Sequence, residues 1–255
     1  MGTVQSTYTG TNKVEKFWHA RAARYNALAW TTDEGYLDAI LQMGAFTQTD
    51  LVLDVGVGTG TVAQKVSPHV KHVIGVDISE SMLTNGKWEG ISFVKWDIRE
   101  PLFTQGTFDK VVARMVFHHI LEGLDTAMQR CHEALSPGGR IIVAEGLPPS
   151  DDPHVISWYS EMFKLKEDRL TFTEQDLTTR LARAGFRNVE TYTYLMKGFS
   201  IGNWLANSGL PKQRQEEIMR LHRSADQKLR DAYCMRCVGE DCLIDAKNVV
   251  LAGQK

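Results

Sequence analysis

Short apolar runs that end in glycine or acidic residues recur along the chain, with segments of helical periodicity between them. The runs are LVLDV (51–55), HVIGVD (72–77), ISFVKWD (91–97), KVVARMV (110–116) and RIIVAEG (140–146). Runs of this length are typical of strands that are buried on both faces of a parallel sheet. The segments between them include predicted helices at 79–85 and 124–135, and the second ends in the stop signal Ser-Pro-Gly-Gly. The alternation predicts an α/β fold with right-handed crossovers.

The rest of the chain continues this plan with two interruptions. A helix at 173–186 leads into a strand at 187–195, and KNVVLAG (247–253) is predicted as the last strand. Residues 147–172 and 198–240 fit neither a strand nor a simple crossover. Because ligands of open α/β sheets bind at the carboxyl ends of the strands, we expect both insertions to form the walls or lid of a substrate pocket.

The insertions are rich in aromatic residues, most of which we expect to pack in a core. Even so, a pocket with several aromatic walls suits a planar or apolar small molecule better than a sugar or a peptide. His222, on the apolar face of a helix predicted from about Pro211, is also expected to be a packing residue. The aromatic residues concerned are Trp158, Tyr159, Phe163, Phe172, Trp204 and Tyr233.

Composition narrows the class of protein. Hydrophobic residues at 43% and charged residues at 24% are typical of a globular chain. The net charge of −2 argues against a nucleic acid as the main partner, since phosphate binding needs clustered Lys and Arg. No apolar run approaches the roughly 20 residues that span a bilayer, and the first ten residues do not resemble a secretory signal. We therefore expect a cytoplasmic protein with neither a membrane nor a nucleic acid as partner.

Three of the four cysteines cluster in CMRCVGEDC, as Cys234, Cys237 and Cys242. Their CxxC spacing permits a metal or redox site. The segment instead predicts two strands around a Gly-Glu-Asp turn, and residues three apart on a strand point to opposite faces. Since a fourth ligand is not evident either, we expect no bound metal.

The sequence LDVGVGTG places Gly56, Gly58 and Gly60 between a strand and the start of a helix. Glycine lets the backbone turn sharply and approach a ligand closely. The spacing is GxGxG rather than the GxGxxG of dinucleotide-binding turns, and Asp54 would repel a pyrophosphate but attract a cation. The pattern therefore favours a cationic ligand, and an NAD(P)-dependent dehydrogenase is a less favoured alternative.

Two further acids end strands. Asp77 lies 21 residues after Gly56, where a Rossmann-type acid accepts hydrogen bonds from both ribose hydroxyls. Capping the next helix is its alternative role, although Ser79 is the more natural cap. Asp97 ends the third predicted strand, where its carboxylate and the backbone N–H of Ile98 can pair with an adenine.

These motifs together resemble a known family. LDVGVGTG, VIGVDIS, KWDI, FDKVVARMVFHHI and LSPGGRIIVAEG occur in the order and spacing of class I S-adenosylmethionine-dependent methyltransferases, over roughly residues 45–147. The pattern is similar to the small-molecule branch that includes quinone-biosynthesis C-methyltransferases. FWHARAARYN resembles the segment of that branch that closes over the cofactor.

The resemblance implies one methyltransferase domain over 1–255, with residues 1–30 covering S-adenosylmethionine. Its fold would be α/β and Rossmann-like, with a seven-stranded, mostly parallel sheet whose last strand is antiparallel, helices on both faces and a helical lid from the insertions. Asp54 and the three glycines would line the methionine end of the cofactor, Asp77 the ribose, and Asp97 with Ile98 the adenine. The full implied cofactor set is Tyr25, Asp54, Gly56, Gly58, Gly60, Asp77, Ile78, Met82, Asp97, Ile98 and Arg114.

Methyl transfer depends mainly on alignment, and a general base is needed only where the acceptor atom must lose a proton. His119 and His118 follow the fourth strand, near the expected methyl position, and histidine has a suitable pKa. Glu145, at the end of the fifth strand, is a further candidate. The alternative role of a histidine here is to shape the loop by hydrogen bonding, and that of Glu145 is to orient the substrate or a neighbouring side chain.

We therefore predict methyl transfer to a small, aromatic or apolar acceptor at O, N or C, with His119 the preferred base. Because fold does not fix function, a non-methylating enzyme that uses the same cofactor site is an alternative. A non-catalytic binding protein is a third possibility that the intact motifs disfavour.

Overall fold

The computed structural model of the protein describes residues 11–22, 25–83 and 88–255, and its strands form one mixed sheet. Across the sheet the strand order is β3-β2-β1-β4-β5-β8-β6, and β7 pairs with the first residues of β8. The strands in chain order are β1 (Leu51–Val55), β2 (His72–Asp77), β3 (Ile91–Lys95), β4 (Phe108–Arg114), β5 (Leu135–Gly146), β6 (Arg187–Ser200), β7 (Arg236–Val238) and β8 (Asp241–Gln254).

Strands β1 to β5 pair in parallel, and β8 runs antiparallel between β5 and β6. The predicted α/β, Rossmann-like fold with a mostly parallel sheet is confirmed. The structure adds an eighth, three-residue strand to the seven that the resemblance implies. This strand forms because Gly239, at a φ of 59°, lets the chain turn back so that Cys237 pairs with Cys242 across a hairpin.

Helices occupy the crossovers, the amino-terminal segment and both insertions. Predicted helix 79–85 begins at Glu80, and its last two residues lie outside the described residues, as do residues 1–10, 23 and 24 of the predicted cofactor-covering segment. The helices are α1 (Thr11–Ala22), α2 (Glu34–Gly44), α3 (Thr61–Val66), α4 (Glu80–Leu83), α5 (Leu124–Ala134), α6 (Pro153–Lys166), α7 (Glu174–Arg183), α8 (Ile201–Ala206), α9 (Lys212–Arg223) and α10 (Gln227–Ala232). Within the described segments, no helix has the length and apolar character that crossing a membrane requires.

The sheet has a hydrophobic core on each face. Leu53 and Val55 of β1 face the core that α5 and α7 cover, whereas Val52 faces the core that α2 and α3 cover. Successive strand residues point to opposite faces, so an uninterrupted apolar run such as LVLDV can serve both cores. This is the physical reason that the strands could be located in the sequence.

A third core joins the two insertions. Tyr159 of α6, Trp204 of α8, Ile218 of α9 and Leu229 of α10 pack together, and Leu28 joins them from the amino-terminal segment. The chain returns from this core to the sheet through the hairpin of β7 and β8. The insertions therefore form one packed body rather than two separate loops.

Candidate active site

Two neighbouring cavities lie at the carboxyl ends of the parallel strands. The strand-end cavity is lined by residues that end or follow β1, β2, β3 and β4. The insertion cavity is lined by residues that follow β5, by both insertions and by the amino-terminal segment. Trp18, Tyr25, Met115 and His119 line both cavities. These four residues, which we call the shared wall, are where the two spaces meet.

The glycine loop after β1 requires glycine for two separate reasons. Gly56 and Gly58 have φ values of 65° and 55°, in the left-handed region that other residues avoid. A Cβ on Gly56 would also lie 2.4 Å from a methyl group of Val116. Both residues line the strand-end cavity. Gly60 does not line it and is instead the N-cap residue of α3.

Asp77 is the last residue of β2 and lines the strand-end cavity. Its carboxylate accepts hydrogen bonds from the backbone of the two loops that follow β1 and β2. One oxygen accepts a hydrogen bond from the N–H of Gly58 and the other from the N–H of Ser79, each at 2.9 Å. Burial raises the pKa of Asp77 to about 6, although these N–H groups favour the charged form. The same carboxylate thus fixes both the glycine loop and the start of α4.

Other predicted cofactor residues surround the same cavity. Ile78, Met82, Asp97, Ile98 and Arg114 all line it. The carboxylate of Asp97 is also paired with the guanidinium group of Arg99, at 2.6 Å, which the sequence did not predict. The acid at the end of a strand was recognisable, but the arginine two residues later carried no distinctive signal.

Asp54 is buried beside Arg114 with one carboxylate oxygen, Oδ2, that has no hydrogen-bond partner among the described residues. Its exposed fraction is 3%, and burial raises the pKa of Asp54 to about 8 despite the nearby guanidinium group of Arg114. Arg114 donates to the carbonyl oxygens of Trp30 and Thr31, and its Nε is likewise without a partner in the described chain. An unpartnered carboxylate beside a guanidinium group fits a ligand that carries both an ammonium and a carboxylate.

His118, which lines the insertion cavity, forms a buried pair with Glu145, which lines neither cavity. Nδ1 of His118 lies 2.5 Å from Oε2 of Glu145, whose other oxygen accepts the backbone N–H of Phe117 at 2.9 Å. Glu145 has no exposed surface, and burial raises its pKa to about 7. Glu145 therefore orients His118 and the loop after β4 rather than facing either cavity.

His119 belongs to the shared wall and has aromatic neighbours. Its ring centroid lies 4.8 Å from that of Trp18 and 4.1 Å from that of His118. Burial, reinforced by His118, holds the pKa of His119 well below its usual value. The ring is consequently neutral at pH 7 and has a nitrogen lone pair that can accept a proton.

A group of charged residues on the wall of the insertion cavity was not foreseen. Glu167 pairs with Arg21 at 2.7 Å and Lys166 at 2.6 Å, and it lies 3.8 Å from Arg169. Burial alone would raise the pKa of Glu167, but these cations hold it well below the usual value. The charge-dense stretch KLKEDR, inside an otherwise aromatic insertion, was the signal that could have revealed this group.

The same region contains a geometric metal-ligand group. Ligand atoms of His118, His119 and Glu167 lie within 4.8 Å of one another. A divalent cation there would be repelled by the positive charges of Arg21 and Lys166, which are already paired with Glu167. The contact between Nδ1 of His118 and Glu145 is compatible with ligation through Nε2, so it is these nearby cations that disfavour a metal ion at this group.

The insertions contribute mostly apolar side chains to their cavity, which encloses about 1080 Å³ with its open mouth included. Tyr159, Phe163, Trp204 and Tyr233 of the predicted aromatic set line it. Phe172 packs instead in a core of the sheet. An apolar and aromatic lining of this kind suits a small planar or apolar molecule.

The cysteine cluster differs in part from its prediction. Cys234 does not lie on a strand but adopts a φ of 46° in the turn before β7. The strand prediction is wrong at this residue because α10 ends shortly before it and leaves no room for an extended segment. Cys237 and Cys242 face each other across the hairpin, with their sulfur atoms 2.6 Å apart.

A family model and two proteins of similar sequence all indicate a methyltransferase. The model of a family described as "Methyltransferase domain" matches residues 52–139. The uncharacterised methyltransferase YcgJ of Bacillus subtilis is 21% identical over 195 residues, which cover 72% of this chain and 75% of the relative. The ubiquinone/menaquinone biosynthesis C-methyltransferase UbiE of Coxiella burnetii is 25% identical over 207 residues, which cover 73% of this chain and 76% of the relative.

Solved structures share the fold. The crystal structure of YcgJ matches with a TM-score of 0.76 at 19% identity, over 87% of this chain and 98% of that chain. The phosphoethanolamine N-methyltransferase 2 of Haemonchus contortus, solved with phosphomonomethylethanolamine and S-adenosylhomocysteine, matches with a TM-score of 0.67 at 17% identity, over 100% of this chain and 61% of that chain. Since the matched family segment contains the glycine loop, Asp77 and Asp97, and since the named relatives are methyltransferases, these comparisons confirm the resemblance of the chain to the class I S-adenosylmethionine-dependent methyltransferases.

Proposed function

We propose that the protein transfers the methyl group of S-adenosylmethionine to a small, aromatic or apolar acceptor that binds in the insertion cavity. The observation that carries this proposal is the shared wall, because Tyr25, Met115 and His119 border both cavities. A methyl donor bound in the strand-end cavity and an acceptor bound in the insertion cavity would meet at the shared wall. Alignment of the two is the main requirement for the reaction.

The strand-end cavity would hold the cofactor through groups of complementary charge. Asp77 would accept the ribose hydroxyls, and Asp97 with the N–H of Ile98 would contact the adenine. Asp54 and Arg114 would hold the ammonium and carboxylate groups of the methionine portion, which is supported by their unpartnered buried atoms. Gly56 and Gly58 would let the backbone approach the cofactor, with Tyr25, Ile78 and Met82 as apolar walls. When bound, S-adenosylmethionine supplies a methyl carbon that its sulfonium group makes electrophilic.

His119 would accept the proton of an acceptor hydroxyl or amine as that atom attacks the methyl carbon. Its position on the shared wall supports this role. The burial that keeps the ring neutral also makes it a weaker base, so a bound acceptor that hydrogen-bonds to the ring would have to raise its pKa for efficient proton transfer. His118, held by Glu145, would position His119 through the contact between their rings. For an acceptor that loses no proton, His119 would shape the wall alone. The charges around Glu167 support a reaction without a metal ion.

A calorimetric titration tests the cofactor part of this proposal. S-adenosylmethionine is expected to bind, and NAD and NADP are not. In Asp77→Ala, binding of S-adenosylmethionine should weaken at least tenfold, since two hydrogen bonds to a charged acceptor are lost. The control is Asp38→Ala, because Asp38 is an exposed acid on α2 that pairs with Lys65. Binding of NAD at equal or higher affinity, or an unchanged dissociation constant in folded Asp77→Ala, would contradict the assignment.

A transfer assay tests the acceptor part. Methyl-labelled S-adenosylmethionine is incubated with naphthols, phenols and aromatic amines, and labelled product is measured. Transfer to at least one aromatic class and none to sugars or peptides is expected. Binding of the cofactor without transfer to any acceptor would point to a non-methylating use of the same site.

We further propose that the described part of residues 1–30 and both insertions form a lid over one methyltransferase domain. The carboxylate of Glu15 on α1 accepts hydrogen bonds from Ser81 and from the N–H of Glu80, beside the strand-end cavity. Hydrogen exchange should show that residues 11–22, 147–172 and 198–240 gain the most protection with S-adenosylhomocysteine, since closure excludes water. Protection confined to the glycine loop would assign the insertions another role.

A further inference from the structure

Three buried polar atoms on the wall of the insertion cavity have no hydrogen-bond partner among the described residues. They are Nη2 of Arg169, Nε2 of His222 and the hydroxyl oxygen of Tyr233. The guanidinium group of Arg169 still lies against Glu167 and over the ring of Phe163, whereas His222 and Tyr233, with exposed fractions of 1% and 4%, are neutral groups on or beside neighbouring helices. Buried polar groups in native proteins are nearly always hydrogen-bonded, so unpaired His222 and Tyr233 atoms in one cavity point to a ligand.

The rigid surroundings hold both side chains in place. His222 lies on α9, and Tyr233 directly follows α10. The ring of Trp158 on α6 packs against both, with centroid distances of 5.0 Å to His222 and 5.4 Å to Tyr233. A site built on packed helices keeps its geometry when it is empty, which lowers the entropic cost of binding.

The chemistry of the two atoms is complementary. Nδ1 of His222 lies 2.8 Å from the carbonyl oxygen of Ile218 and must carry the proton to donate to it. Burial lowers the pKa of His222 to about 4, so the ring is neutral and Nε2 can only accept a hydrogen bond. Burial raises the pKa of Tyr233 well above its usual value, so its hydroxyl keeps its proton and can donate.

We propose that Nε2 of His222 and the hydroxyl of Tyr233 bind a neutral group that both donates and accepts, such as a hydroxyl or a carboxamide, at the end of the acceptor away from the methyl group. This inference rests on the proposed methyl transfer. Neither residue lines the strand-end cavity, whereas the shared wall lines both. The acceptor would therefore reach from His119 to this pair across the aromatic lining.

The hydrogen-bonding pattern of this pair disfavours an ionised acid at this end. A carboxylate cannot donate to Nε2, and neither neutral His222 nor neutral Tyr233 offers a positive charge to offset its burial. The cations of the cavity wall, Arg21, Lys166 and Arg169, are gathered around Glu167, which contributes to the electrostatics of His119. The pair thus selects acceptors by the hydrogen-bonding capacity of their distal group.

Three probes of one shape test this selection by calorimetry on the protein saturated with S-adenosylhomocysteine. They are naphthalene-2,6-diol, 6-methyl-2-naphthol and 6-hydroxy-2-naphthoate. The diol is expected to bind at least fivefold more tightly than the methyl compound, and the naphthoate no more tightly than the methyl compound. In Tyr233→Phe, the preference for the diol over the methyl compound should disappear.

The matched control is Tyr192→Phe, which removes a hydroxyl from an exposed tyrosine on β6 and should leave the preference for the diol unchanged. Equal binding of diol and methyl compound by the unmodified protein, or a preference that survives in Tyr233→Phe, overturns the proposal.

A second measurement needs no ligand. If the hydroxyl of Tyr233 is unpaired in the free protein, Tyr233→Phe should leave the Tm unchanged or raise it. A fall of several degrees would show that the hydroxyl is already bonded within the protein and would overturn the inference. Neither experiment requires turnover. If the protein prefers the diol but transfers no methyl group, this binding site is supported and the proposed reaction is rejected. If it transfers methyl groups but does not distinguish the probes, the reaction is supported and this binding site is rejected.

Discussion

Replacing His119 with phenylalanine is expected to lower kcat for methyl transfer to a hydroxyl or amine acceptor by about 10²–10⁴-fold, the range of general base catalysis. Phenylalanine keeps an aromatic ring against Trp18, whose centroid lies 4.8 Å from that of His119, but removes the nitrogen that accepts the proton. The dissociation constant of S-adenosylmethionine should stay within about threefold, because the cofactor contacts assigned to charged groups are intact.

His72→Phe is the matched control for this variant. His72 begins β2, at the opposite edge of the sheet from both cavities, and its ring contacts only Ser92 in the described hydrogen bonds. Its kcat should equal that of the unmodified protein. An unchanged kcat in His119→Phe would show that the acceptor loses no proton in the rate-limiting step, and that His119 only shapes the wall.

The affinity for S-adenosylmethionine is expected to rise about tenfold per pH unit from pH 6 towards pH 8 and then to level off. Burial raises the pKa of Asp54 to about 8 in the free protein, so near pH 7 its carboxyl group is mostly protonated. A bound ammonium group would favour the charged form and lower that pKa, so binding below pH 8 must release a proton. Lowering the pH through this range therefore opposes binding.

Calorimetry in buffers with different ionisation enthalpies measures this proton release directly. Close to one proton should be released per cofactor bound at pH 7. Asp54→Asn, which cannot ionise, should bind weakly and lose the pH dependence, while Asp38→Asn on the exposed face of α2 should keep it. Proton release that persists in Asp54→Asn would assign the titration to another group, with Asp77 and its raised pKa the first candidate.

The same carboxyl group should affect the stability of the free protein. A folded-state pKa above the unfolded value means that the folded chain binds the extra proton between about pH 4 and pH 8, so the free energy of unfolding falls as pH rises through that window. The bound cofactor would offset this loss most strongly near pH 8, where Asp54 is ionised.

The fold, and the meeting of several predicted cofactor residues at one rim of the sheet, could be predicted from the amino-acid sequence because their signals are local. An apolar run such as LVLDV is buried on both faces whatever its partners are, and the residues that follow such runs must meet at one edge of a parallel sheet. Gly56, Gly58 and Asp77 could therefore be placed together from their positions in the chain, since strand ends and left-handed turns carry recognisable residues.

The insertion cavity, where we propose that the acceptor binds, is in contrast built by contacts that appear only in the folded chain. Arg21 and Glu167 are 146 residues apart, and the pair forms only because α1 and the insertion after β5 meet at the same rim. The sequence places His222 on the apolar face of a helix and predicts that it packs there, and the residue is indeed buried. Its unpartnered Nε2 depends on where α9 meets the cavity wall, which no local pattern encodes. Contacts between distant segments are set by packing of the whole chain, so the lining of the insertion cavity could not be predicted from local sequence patterns.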